Sequence, residues 1–128
     1  MEIVSIITLS VSGLLLVFGG TSRIISPIKN YLKNSGITIE KDVNNLNEAR
    51  AVGSFMSLGG IIMLLGTIIP ELTLTSHVVA ILILFGFAIG RSLSMGLDGR
   101  PNKLLITGLI SELVLGTANA FCLINFLI

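Results

Sequence analysis

Four ionisable side chains stand where charge is hard to keep: Glu48 and Arg50 open one apolar run, Arg91 lies near the end of the next, and Glu112 sits inside the last. Arginine matches carboxylate and phosphate oxygens with parallel N–H donors, so such a set suits recognition of an anion. Read at helical spacing, Gly108, Glu112, Gly116 and Asn119 share one small or polar face; Thr107 and Ser111 add hydroxyls on the same run, and Ser54, Ser57 and Ser94 on others. The candidate ligand-binding residues are therefore Glu48, Arg50, Arg91, Glu112 and Asn119. Asp98 and Arg100, in a turn between two runs, are candidates for capping or for docking a partner.

Other chemistries lack their residues. His77 is the one histidine and falls at the outer edge of an apolar run, which leaves no arrangement of nucleophile, histidine and acid. Cys122 is the one cysteine and reads as a small packing residue. No spacing of His, Cys and carboxylates suggests a metal, and no glycine-rich phosphate loop follows a strand. No catalytic residue and no cofactor are assigned, and enzymatic activity is the least supported class.

The elements that hold these residues follow from composition. Hydrophobic residues make up 52% of the 128 and charged residues 12%, against roughly 25% charged in soluble domains. The mean hydropathy is +0.97. A bilayer crossing takes about 20 apolar residues, so four crossings nearly exhaust the chain. The pattern predicts an all-α integral membrane four-helix bundle, one domain over 1–128, with spans near 3–20, 46–69, 77–97 and 103–128.

All eight basic residues (Arg23, Lys29, Lys33, Lys41, Arg50, Arg91, Arg100 and Lys103) fall in or next to the first and third connections. The positive-inside rule then puts both termini outside and both basic connections in the cytoplasm. The same distribution argues against nucleic-acid binding. Gly19-Gly20-Thr21-Ser22 is expected to end the first helix. Ile24, Ile25, Ile28, Tyr31 and Leu32 recur beside Lys29 and Lys33 as in a short helix lying among headgroups, or in a loop with anchoring apolar residues. Thr75 or Ser76 is expected to cap the third span.

Two small-residue stripes, Gly53-Ser54-Ser57-Gly60 after Arg50 and Gly86-Gly90-Ser94, predict close helix contacts, within the chain or between copies in a homo-oligomer. At about 1.5 Å per residue, Arg91 lies roughly 9 Å and Glu112 roughly 15 Å inside their helices, within reach of each other in antiparallel neighbours. A charge at mid-bilayer costs about 2.5 to 3.5 kcal/mol on insertion scales. Pairing offsets that cost, as would snorkelling of Arg91 and protonation of Glu112. Arg50 enters from the same end and is expected to join the pair.

The run Asn47-Glu48-Ala49-Arg50-Ala51 with Gly53 and Gly59-Gly60, then Gly90-Arg91 and Asp98-Gly99-Arg100-Pro101, then Glu112-Leu113 with Gly116, resembles a small bacterial four-helix family, domain-of-unknown-function family 4345, similar in architecture to the DoxX-like membrane proteins. Ser54 departs from a second glycine expected after Gly53. The resemblance implies a bacterial inner-membrane protein and implies no activity. Three readings stay open: a binding protein for an anionic or lipid-like small molecule, an oligomeric transporter or channel using Glu112, and a structural subunit docking through its charged turn.

Overall fold

The computed structural model of the chain describes residues 2–128. In lipid a backbone must satisfy its own polar groups, and long apolar segments do so as helices. Helix α1 covers Ile3–Ile25, α2 Pro27–Ser35, α3 Val43–Leu65, α4 Thr73–Asp98 and α5 Lys103–Leu127, with a 3-10 turn at Pro70–Leu72 before α4. Among the described residues the regular structure is all helical, and α1, α3, α4 with its preceding turn, and α5 are long and apolar enough to cross a membrane. Large apolar side chains such as Phe18, Phe55, Leu82 and Leu97 face out of the bundle. That surface would be costly in water and suits acyl chains.

Helix α1 does not end at Gly19-Gly20. It runs to Ile25, where Pro27 forces the preceding Ser26 out of the helical region (φ −137°, ψ 72°). Gly20 instead lets α3 approach: a Cβ there would strike the carbonyl oxygen of Gly53. One helical stretch away, a Cβ on Gly13 would lie 2.9 Å from the carbonyl oxygen of Gly60. The pairs 13/60 and 20/53 set an antiparallel register and make α1 and α3 the tightest contact in the bundle. The stripe on α3 is thus spent within the chain, and Ser54 and Arg50 are turned out of it, exposed. Gly86 and Gly90 differ, since a Cβ on either meets no described atom within 4 Å.

Leu9, Leu16, Met56, Met63, Ala80, Ile83 and Leu84 form the apolar core between α1, α3 and α4. The connections close the ends. Thr73 Oγ1 donates to Gly66 O (2.9 Å) and Ser76 Oγ to Ile62 O (2.6 Å), so these hydroxyls satisfy the last carbonyls of α3 rather than capping α4. Helix α4 accordingly begins at Thr73, ahead of the expected 77. At the other end α2 is indeed a short helix, started by Pro27 and stopped by Gly36 at φ 64°. Asn102 accepts from Leu105 N–H as the N-cap of α5 and donates to Ser35 O, 2.9 Å each, which ties α2 to the turn before α5.

Candidate functional site

The bundle has a basic end, holding α2 and the 99–102 turn, and a termini end, holding the 66–72 connection. Each encloses a polar cluster. At the basic end α4 and α5 run antiparallel, and Arg91 Nε donates to Glu112 Oε1 at 2.9 Å. Glu112 is buried, and the Arg91 guanidinium also lies over the Phe87 ring, 5.8 Å from its centroid. The two charges meet because the longer side chain reaches back along its helix toward the carboxylate.

The second arginine here is Arg23, not Arg50. Arg23 stands on the last turns of α1, and its Nη1 is 3.1 Å from Met56 Sδ while its Cζ lies 5.2 Å from the Tyr31 ring centroid. A thioether and a ring face are weak partners for a cation. Its Nε is buried without a hydrogen-bond partner among the described residues. Beside it Asn30 of α2, only 3% exposed, donates from Nδ2 to Ser22 Oγ at 2.8 Å, while its Oδ1 has no donor among the described residues. A cavity of about 280 Å³ joins these groups, lined by the polar Arg23, Asn30, Asn34, Arg91 and Glu112 and by the apolar Leu15, Leu16, Phe87 and Leu104.

Arg50 is exposed, and its Nε donates to Ile24 O at 2.9 Å. The break at Ser26 strips that carbonyl of its partner in the helix, and a cation suits the negative end of α1. Glu48, Asp98 and Arg100 are exposed as well. Asp98 accepts from Ser94 Oγ at 3.4 Å within the last turn of α4. The hydroxyls of Thr107 and Ser111 bond back to Lys103 O and Thr107 O of their own helix. Of the expected ligand-binding set, the structure brings Arg91 and Glu112 together and leaves Glu48, Arg50 and Asn119 elsewhere.

The sequence profile of a domain of unknown function, DUF4345, matches residues 4–123, which takes in the whole cavity and nearly all of the four membrane-length helices. The chain belongs to the DUF4345 family. No curated protein and no solved structure matches it.

The termini end of the DUF4345 bundle holds the second cluster. Asn119 is fully buried; its Nδ2 donates to Ser12 Oγ (3.0 Å) and Leu115 O (2.8 Å), which leaves Oδ1 as an acceptor. His77 Nδ1, 2.9 Å away, must then carry the proton, and its Nε2 accepts from Ser5 Oγ at 3.1 Å. His77 is not at an edge but fully buried, because α4 starts a turn earlier than expected and draws it into the bundle. Hydroxyl, imidazole and amide follow the order of an activated nucleophile. Here the third member is neutral and cannot stabilise an imidazolium as a carboxylate does. Every polar atom of His77 and Asn119 is engaged, and the network clamps α1, α4 and α5. Cys122 lies beside it, 3.9 Å from Thr8 Oγ1, as a buried packing residue.

Proposed function

We propose that this protein binds an anionic, lipid-like small molecule in the cavity between Arg23, Asn30, Arg91 and Glu112. The reading includes a DoxX-like bundle in a bacterial inner membrane, with both termini outside and the cavity open toward the cytoplasmic leaflet, as the placement of the basic residues supports. The observation that carries it is Arg23: a half-buried guanidinium without a carboxylate partner among the described residues, lining a cavity that a second arginine also lines. An anion there would give Arg23 a charged partner, and an apolar tail would lie against the lining leucines.

The test is retention of ligand through purification. Wild-type protein extracted in mild detergent and examined by native mass spectrometry is expected to carry a bound anionic amphiphile, and Arg23→Gln and Arg91→Gln to lose it. Wild-type protein that carries none and takes up none from mixed micelles overturns the reading.

A second reading has one specific support: the Gly86, Gly90 and Ser94 face of α4 is exposed and suits a close contact with another copy. In that reading copies associate and Glu112 serves transport. pH-dependent flux in liposomes, lost in Glu112→Gln, would favour it over simple binding.

A further inference from the structure

Resting on that anion-binding reading, we infer that the ligand is a phospholipid whose singly charged phosphodiester carries an uncharged, hydroxylated headgroup. The charge of the cavity selects the phosphate. Arg23 and Arg91 bring two cations and Glu112 one anion, so one positive charge is left to neutralise. A phosphodiester, with one negative charge, meets that demand. A phosphomonoester brings up to two, and the excess charge would be held against Glu112 in a poorly screening site.

The hydrogen-bonding capacity selects the headgroup. Arg23 Nε needs an acceptor, and a phosphodiester oxygen is one. Asn30 Oδ1 needs a donor, and a phosphodiester has none. A hydroxyl beyond the phosphate supplies it. An ammonium headgroup would also donate, but it would set a cation into a cavity that already carries surplus positive charge. Leaving Asn30 Oδ1 unpaired carries the cost of a buried unsatisfied acceptor, so this atom discriminates among headgroups.

The size of the cavity keeps the chains outside. At about 280 Å³ it lies just below the ~300 Å³ lower bound of small-molecule pockets, enough for a headgroup and not for acyl chains. Its apolar rim includes Leu15 and Leu104, each 45% exposed, where chains can leave into the bilayer. A diacyl lipid enters headgroup first, and a free phosphodiester would leave that rim uncovered.

The experiment is a competition read by native mass spectrometry. Purified full-length protein receives equimolar phosphatidylglycerol, phosphatidic acid and phosphatidylethanolamine of matched chains. Wild-type protein is expected to favour phosphatidylglycerol by about tenfold over phosphatidylethanolamine and severalfold over phosphatidic acid, tenfold being the weight of one good charge-assisted contact. Asn30→Ala should narrow the preference for phosphatidylglycerol over phosphatidic acid to the part that charge alone supplies, and Arg23→Gln should lower both.

Equal retention of phosphatidylglycerol and phosphatidic acid by wild-type protein, which needs no variant to fold, overturns the headgroup assignment and leaves anion binding standing. So does a preference that Asn30→Ala leaves unchanged. Failure of wild-type protein to hold any anionic lipid, or equal retention by Arg23→Gln, overturns both readings. Displacement of the lipid by soluble glycerophosphoglycerol at matched concentration identifies a free phosphodiester and overturns the lipid assignment.

Discussion

The two polar clusters contain similar numbers of polar side chains and behave oppositely. At the termini end Asn119, His77, Ser5 and Ser12 close on one another, and each of the four polar atoms of Asn119 and the His77 ring has a partner. At the basic end Arg91 and Glu112 pair, but Arg23 Nε and Asn30 Oδ1 are buried without partners among the described residues, on two side chains that line a cavity. Buried polar groups cost free energy unless they are satisfied. A closed network therefore reads as structure, and an open one as a place made for something else.

The contrast predicts that stability and binding separate between the ends. The largest effect on stability is expected from Asn119→Leu, which leaves the His77 N–H and the Ser12 hydroxyl unpaired. It should cost about 1–3 kcal/mol in detergent unfolding, with retained lipid unchanged. Arg23→Gln should do the reverse, lowering lipid occupancy about tenfold while unfolding shifts by under about 1 kcal/mol, since no ion pair among the described residues is broken. If Arg23→Gln unfolds the protein and Asn119→Leu does not, the assignment of the two ends is inverted.

Smaller effects sharpen the same division. Ser12→Ala removes one of two acceptors for Asn119 Nδ2 and should cost about 0.5–1.5 kcal/mol by thermal melting. Arg50→Gln should leave headgroup preference untouched and shift stability by about 0.3–1 kcal/mol, because Arg50 completes the end of α1 and does not reach the cavity. A loss of bound lipid in Arg50→Gln, measured beside Arg23→Gln, would place Arg50 in the site after all.

The Arg91 and Glu112 pair was legible because both residues lie within apolar runs and antiparallel neighbours place them at similar depth. Arg23 was not. It read as one of several basic residues after a helix expected to stop at Gly20, and only the continuation of α1 to Ile25 carries it into the bundle. The signal available was Pro27, which stops helices more firmly than Gly19-Gly20 does in lipid. Arg50 misled because its stripe did face protein, but Gly53 and Gly60 took the contact and left the arginine at its edge. His77 and Asn119 lie 42 positions apart, and nothing local in the chain announces that they meet.

Composition and the placement of eight basic residues determined, without any structure, that this is an all-helical chain with four membrane-length segments and its basic residues gathered at one end. Those properties are sums over many residues, set by the cost of exposing apolar groups to water and charge to lipid. Which arginine faces the cavity, and which polar cluster is closed, only the tertiary structure decided. Those outcomes depend on the rotation and length of each helix, where one turn gained by α1 or α4 moves a side chain from the edge of the bundle to its interior.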